Sequence, residues 1–391
     1  MATGRQAAPV YNATKVDVYV NVNYEAKRLG LMNDLEQRLH YPLGDALPEN
    51  GRCIEVAPGV KWIRMALPFA LNHINLWLLR DEIDSANGKV QGWSIVDCCI
   101  HKEEAKAQWE AIFTNELDGL PVLRVIVTHM HPDHIGLAHW LCQRWNVPLW
   151  ISALDYQVAK WGCMGPTAFG GERAADFFAM HGLNDPDTVA QIKARTNYFP
   201  SLVPSVPEQY HRLLDGQTLR IGAHSWRCIS GYGHAPEHMA LYCESLNVLI
   251  GGDMMLPRIS TNVSVYEQEP EANALAQFLD SIDKFLPLPT DTLVLPSHGK
   301  PFTGLHERIQ QLHDHHRDRL AEVLEACTEK PCSAGDVLPV LFKRQLDLHQ
   351  ITFAMGEAVA HLHMLWYAGQ LQRTLGDDGV LRFAVTGDRV T

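Results

Sequence analysis

The sequence is short of three features that would each have fixed a class of protein. Its nine cysteines are scattered and form no C-x-x-C pair, which argues against a disulfide framework and fits reduced thiols. No apolar run reaches the roughly 18 residues of a transmembrane helix. Basic residues are outnumbered, with 33 Lys and Arg against 45 Asp and Glu and a formal charge of −12. This balance argues against nucleic acid and anionic membranes as partners.

The start of the chain also lacks the pattern of an export signal. The stretch "MATGRQAAPVYNATKVDVYV" has no apolar core followed by a small-residue cleavage site. We therefore expect a cytoplasmic protein.

The order of apolar segments indicates an α/β protein with helical additions. Strand-like runs alternate with helical ones from residue 52 to 302, which is typical of layered α/β architecture. Residues 163–207 interrupt that alternation and are predicted to be an insertion, with a lid over a site as one interpretation and a surface elaboration as the other. Residues 1–51 are predicted to be an N-terminal extension, and 303–391 a small domain of helices followed by a β-hairpin.

One stretch of ten residues carries an unusual density of potential metal ligands. Residues 127–136 read "VTHMHPDHIG", so that His129, His131, Asp133 and His134 follow an apolar strand. Imidazole and carboxylate together suit a borderline divalent ion such as Zn²⁺. This is too many ligands for one tetrahedral site. The simplest interpretation is therefore two adjacent ions.

Three further ligand candidates follow downstream, each beside an apolar run. They are His234 in "GYGHAPEHM", Asp253 in "IGGDM" and His298 in "LPSHG". A polar side chain in such a position requires a partner, and strand ends are where α/β sheets place their chemistry. His238 of the first segment is interpreted as structural, and the cluster His313, His315 and His316 as a solvated helix face.

These motifs, in this order, resemble those of the metallo-β-lactamase superfamily. The resemblance covers about residues 52–302 and implies a four-layer αββα fold. It further implies that His129, His131 and His234 bind a first metal, that Asp133, His134 and His298 bind a second, and that Asp253 bridges both. Asp97 resembles the aspartate that orients ligands in this family. Residues 303–391 resemble the winged-helix-like extension of β-lactamase-like proteins related to a mammalian endoribonuclease.

The resemblance implies a hydrolase that holds two divalent ions, with zinc favoured and iron or manganese left open. A metal-bound hydroxide would attack a carbonyl ester-like bond of a small molecule, a thioester or a lactone, and Asp133 would orient the hydroxide or carry the proton. One alternative is a mononuclear-iron persulfide dioxygenase that uses His129, His234 and Asp253, and another is a metal-dependent nuclease. Since the C-terminal part has few clustered basic residues, a packing or homodimer role is favoured over nucleic-acid binding.

Overall fold

The computed structural model describes residues 35–86, 88–165 and 170–386. The chain divides into two compact units, residues 1–38 and 39–391. The described part of the first unit contains a short 3-10 helix, Glu36–Arg38. Most of the predicted N-terminal extension, residues 1–34, lies outside the described residues. Everything below concerns the second unit.

Seven strands in chain order form the first sheet, as far as the described residues show. They are β1 (Ile54–Ala57), β2 (Val60–Ala66), β3 (His73–Ser85), β4 (Gly88–Val96), β5 (Val122–Ile126), β6 (Leu149–Ser152) and β7 (Tyr210–Leu213). β1 to β4 pair in antiparallel fashion, whereas β4 to β7 are parallel. The parallel strands are joined by helices, because a parallel connection needs a long crossover.

A second sheet of five strands packs on the first, again within the described residues. It contains β8 (Thr218–Ile221), β9 (His224–Gly231), β10 (His238–Cys243), β11 (Val248–Gly252) and β12 (Leu293–Pro296). β11 and β12 run parallel, and β10 is antiparallel to both of its neighbours. A buried core between the sheets draws from both of them and includes Trp62, Trp77, Leu79 and Val96 with Trp226, Met239, Leu241 and Ile250.

Helices cover the outer face of each sheet. The first sheet is covered by α1 (Glu103–Asn115), α2 (Pro132–Ile135), α3 (Ala138–Trp145), α4 (Ala153–Met164) and α7 (Tyr198–Leu202). The second is covered by α8 (Ala274–Asp283) and α9 (Leu305–Glu329), with α5 (Glu172–Met180) and α6 (Pro186–Ala194) in the same core. The predicted four-layer αββα arrangement is therefore confirmed.

The C-terminal part is helical and ends in a hairpin, as predicted. After α9 come α10 (Ala334–Leu341), α11 (Leu348–Tyr367) and the antiparallel pair β13 (Leu371–Leu375) and β14 (Leu381–Val385). α11 is an apolar helix whose inner side is buried in the same core as α8 and α9. Within the described residues, none of the helices combines the length and apolar character that crossing a bilayer requires.

The apolar spacing of residues 133–145 predicts one continuous helix, and that prediction is wrong. The structure has two helices, α2 and α3, with a break at Gly136 and Leu137. There the backbone bonds to another loop, because Leu137 N donates to Cys99 O over 3.0 Å. A Cβ on Gly136 would lie 2.7 Å from the same oxygen, so the close approach requires glycine.

The predicted insertion at 163–207 is helical and packed. Phe177, Phe178 and Ile192 are buried in the core beneath the second sheet, whereas Phe199 and Leu202 are buried beneath the first. Residues 166–169 within it lie outside the described residues. The interpretation as a lid stays a prediction.

Candidate metal centre

The ligand candidates follow the ends of strands that point to one edge of the molecule. Asp97 follows β4, His129 follows β5, and His234, Asp253 and His298 follow β9, β11 and β12. β4 and β5 are parallel to each other, and β9, β11 and β12 share one direction because β10 is antiparallel to its neighbours. The topology therefore gathers side chains that lie up to two hundred positions apart in the sequence.

Three imidazoles form a compact triangle at that edge. His129 Nε2 lies 2.9 Å from His131 Nδ1, which lies 3.1 Å from His234 Nε2, and the third side, His234 Nε2 to His129 Nε2, measures 3.2 Å. Ligands around a tetrahedral zinc ion with bonds of about 2.0–2.1 Å lie about 3.3 Å apart. The triangle therefore has the dimensions of one face of such a site.

A second group lies beside the first and shares Asp253 with it. His298 Nε2 is 3.5 Å from Asp133 Oδ2, and His134 Nε2 is 3.8 Å from the same oxygen. Asp253 Oδ1 faces this second group, 3.6 Å from His134 Nε2 and 3.5 Å from His298 Nε2. Its other oxygen, Oδ2, faces the first group, 3.2 Å from His234 Nε2. All seven sequence-predicted residues are thus brought together, in two groups.

Hydrogen bonds behind the rings leave bare nitrogens pointing inwards. His234 Nδ1 donates to Asn262 O over 2.7 Å, and His298 Nδ1 donates to His73 O over 2.7 Å. A carbonyl only accepts, so the proton of each neutral ring lies on Nδ1 and the lone pair on Nε2 faces the group.

The other two Nε2 histidines also have their hydrogen-bond partners at Nδ1. His134 Nδ1 lies 2.8 Å from Asp97 Oδ2. Thr128 Oγ1 donates to the Asp97 carboxylate over 2.8 Å, so it accepts from His129 Nδ1 over 3.1 Å. His134 Nε2 and Asp253 Oδ1 are buried, with no hydrogen-bond partner among the described residues. Converging lone pairs and partnerless buried atoms fit divalent metal ions.

The charges of the two groups differ. Burial, with the positive charge of neighbouring imidazoles, holds the pKa of His129 and of His131 well below the ordinary value, so both rings are neutral. Burial would also lower the pKa of His134, but Asp97, Asp133 and Asp253 outweigh it and raise that pKa. Carboxylate charge therefore outweighs burial at His134 in the second group, whereas burial dominates at His129 and His131 in the first.

Asp97 lies where the resemblance expects an orienting residue, bonded to His134 and to the residue before His129. Besides His134 and the Thr128 hydroxyl, its carboxylate accepts from Thr128 N over 2.8 Å. Its backbone has a positive φ of 62°, a conformation that aspartate tolerates better than most residues. With this backbone conformation, the Asp97 carboxylate lies against Thr128, the residue before His129.

Sequence reasoning missed Asp155, which connects two ligand loops. This buried carboxylate accepts from Met130 N over 2.7 Å and from Glu237 N over 2.7 Å. The first loop carries His129 and His131, and the second carries His234. The signal in the sequence was slight, because Asp155 is an ordinary acidic residue in the first turn of a helix.

Two interpretations of other histidines are tested by the structure. His238 is buried and its Nε2 accepts from Asp253 N over 3.3 Å, so it supports a candidate ligand, as the structural interpretation implies. The prediction of a solvated face on α9 is wrong for His316, which is buried with its Nδ1 3.4 Å from His361 Nε2. α11 and α8 cover that side of α9, which the periodicity of α9 alone does not reveal.

Comparisons with known proteins agree with the fold and this site. The family model of the metallo-beta-lactamase superfamily matches residues 75–298, and the model of the metallo-beta-lactamase-like C-terminal domain matches residues 320–386. The two matched segments contain a metal-binding αββα core and a helical addition, respectively. The chain belongs to the metallo-beta-lactamase superfamily.

Individual relatives extend over nearly the whole chain. A beta-lactamase domain protein from Burkholderia ambifaria is 54% identical, with a TM-score of 0.85 over 90% of this chain and 100% of its own. A metallo-beta-lactamase family protein from Thermus thermophilus is 26% identical, with a TM-score of 0.68 over 85% of this chain and 100% of its own. The probable metallo-hydrolase YqjP of Bacillus subtilis (strain 168) is 24% identical over 78% of this chain and 91% of its own.

Proposed function

We propose that this protein is a dinuclear metal-dependent hydrolase of a small-molecule thioester or lactone. The observation that carries the proposal is the position of Asp253, whose two oxygens face two different ligand groups. The metal-binding set of the first group is His129, His131, His234 and Asp253, and that of the second is Asp133, His134 and His298, with Asp253 shared. Zinc is favoured, since imidazole and carboxylate donors suit it.

Two ions held in these groups would supply a hydroxide at neutral pH and polarise a carbonyl oxygen. The chain itself contributes the placement of the groups around them. Asp97, Asn262 and His73 fix the rings of His134, His234 and His298 through their Nδ1 protons. Fixed rings leave little to reorganise when a substrate binds.

Asp133 is proposed as the catalytic residue. It lies at the start of α2, is partly exposed, and faces the second group through Oδ2. A carboxylate with one oxygen turned towards the site is able to orient the attacking water and pass its proton to the leaving group. The name of the Bacillus relative, a probable metallo-hydrolase, supports hydrolysis as the reaction class.

The test is metal content per chain in protein purified without chelator, followed by turnover of a panel of thioesters and lactones. We expect about two zinc ions and measurable hydrolysis, because two complete groups are present. His131→Ala should lower the zinc content and the rate of hydrolysis. His211→Ala, at an exposed position on β7, should change neither quantity. About one iron per chain, together with oxygen consumption on a persulfide, would refute the proposal in favour of the dioxygenase.

A further inference from the structure

Three separate parts of the chain meet next to the proposed metal centre. Phe69, from the loop between β2 and β3, stacks on His349 at the start of α11, with ring centroids 5.3 Å apart. Tyr198, at the start of α7, has its ring centroid 5.6 Å from that of His349. The Arg195 guanidinium carbon lies 3.9 Å from the centroid of the Tyr198 ring. The insertion and the C-terminal part thus share one wall.

This wall lies next to Asp133. α7 packs against α2, the helix that carries Asp133, and His101 N donates to Leu202 O at the other end of α7 over 2.9 Å. The Asp133 carboxylate acts on two rings of the wall. It opposes the lowering of the His349 pKa that burial causes, and it adds to the raising of the Tyr198 pKa. A substrate bound at the metal groups would therefore have the wall within reach.

Arg195 supplies the positive charge of the wall. Its Nη2 donates to His349 Nδ1 over 3.1 Å, and it forms no ion pair with a described carboxylate at bonding distance. Its Nη1 is buried without a hydrogen-bond partner among the described residues. Leaving a buried donor unpaired is unfavourable, so a ligand that accepts a hydrogen bond there would be favoured.

His349 adds a second donor. Because Arg195 donates to its Nδ1, the neutral ring carries its proton on Nε2. Burial, followed by the charge of Arg195, lowers the pKa of His349, which keeps the ring neutral. The wall therefore offers one positive charge with two kinds of N–H group.

We propose that Arg195 and His349 form a carboxylate-binding subsite, so that the hydrolysed substrate carries a carboxylate away from its reacting carbonyl. This inference rests on the proposed function for the reacting end of the substrate. A carboxylate suits the site better than a phosphate dianion, because the single guanidinium has Asp347 within electrostatic range and Asp133 acts on the neighbouring His349. Arginine binds carboxylates through charge-assisted hydrogen bonds.

The experiment measures binding and does not depend on turnover. Dicarboxylates from succinate to pimelate are titrated calorimetrically into the zinc-loaded protein, each beside the monocarboxylate of the same chain length. We expect the second carboxylate to improve affinity about 10- to 100-fold at one or more chain lengths, the usual gain from a charge-assisted hydrogen bond. Arg195→Gln should abolish this gain, and Arg212→Gln, which alters an exposed arginine on β7, should keep it.

A gain that survives Arg195→Gln, or no gain at any length in the wild type, would overturn the subsite. His349→Phe preserves the aromatic stack on Phe69 and should also reduce the affinity gained from the second carboxylate. Full retention of that gain in His349→Phe would overturn the part assigned to His349. Melting curves of each variant establish that it is folded. Failure of the wild type to cleave any thioester or lactone would refute the proposed function while the binding result stands by itself.

Discussion

Replacing Asp155 by asparagine tests how the ligand loops are held in register. Its Oδ1 accepts from Met130 N, between the first two ligand candidates, and its Oδ2 accepts from Glu237 N, shortly after the third. Ser152 Oγ lies 3.1 Å from the same Oδ2. One buried carboxylate therefore fixes both segments that form the first metal group.

The size of the effect follows from the hydrogen bonds lost. Asparagine retains one accepting oxygen and places an NH₂ group against the other backbone N–H. A hydrogen bond to a charged group contributes about 1.5–3 kcal/mol, so the free energy of unfolding should fall by about 2–3 kcal/mol. Displacement of residues that support metal ligands commonly lowers metal affinity by about 10- to 100-fold. We expect this loss for the ion of the first group.

The pH dependence of the stability loss has a definite sign. Burial raises the pKa of Asp155 to about 6 from an ordinary 3.8. A folded-state pKa above the unfolded one means that the carboxyl group contributes most stability below about pH 4 and loses this contribution as the pH rises through 6. Asparagine does not titrate. The cost of Asp155→Asn should therefore grow on acidification from pH 7 to 4, by on the order of 3 kcal/mol.

Urea unfolding at several pH values measures the stability, and competition with a chelator measures the zinc affinity. Asp81→Asn is the matched control, because Asp81 is also buried and accepts from Arg124 Nε over 2.8 Å, but far along β3 from the site. That variant should lose stability without losing zinc affinity. Equal zinc affinity in Asp155→Asn and the wild type would show that Asp155 does not position the ligand loops.

Three further outcomes are expected. Asp97→Asn should weaken the binding of one of the two proposed ions about 10- to 100-fold, because His134 loses a charged acceptor. Unchanged chelator competition would contradict this. Gly252→Ala should lower the free energy of unfolding by more than about 2 kcal/mol, because its Cβ would lie 2.1 Å from Nε2 of the buried His238. Gly216→Ala is the control, since Gly216 also has a positive φ but lies in open space, and it should cost about 1 kcal/mol. Urea unfolding measures both. Glu357→Ala should lower stability by about 1–3 kcal/mol, because Asn262 Nδ2 loses its acceptor; an unchanged unfolding midpoint would count against it.

The sequence was most informative where potential metal ligands follow an apolar strand. His129 and Asp253 are polar residues that directly follow apolar strands, so their position at a sheet edge could be predicted from the residues themselves. Their grouping around two centres came from a family resemblance, and the structure supports it through the two oxygens of Asp253.

Tertiary contacts account for what the sequence did not predict. The break between α2 and α3 depends on Leu137 bonding to a loop nearly forty residues earlier. Asp155 accepts from a backbone N–H of a distant segment, and Asn262 accepts from the distant His234 ring through its own carbonyl. A residue type by itself does not reveal such a partner. The aromatic wall beside Asp133 joins three segments, none of which contains a recognisable motif.

The C-terminal helix α11 is linked by hydrogen bonds to the segment that orients a candidate metal ligand. Asn262, whose carbonyl orients His234, donates its side-chain amide to Glu357 of α11 over 3.2 Å. Nearby, Val265 N donates to Gly356 O over 3.0 Å, and α11 begins beside His349 of the proposed subsite. One helix therefore supports a candidate metal ligand through Asn262 and also contributes His349 to the proposed carboxylate subsite. Since the same helix serves both, a change in its packing should alter metal affinity and carboxylate binding together, whereas a change in β13 or β14 at an exposed position should alter neither.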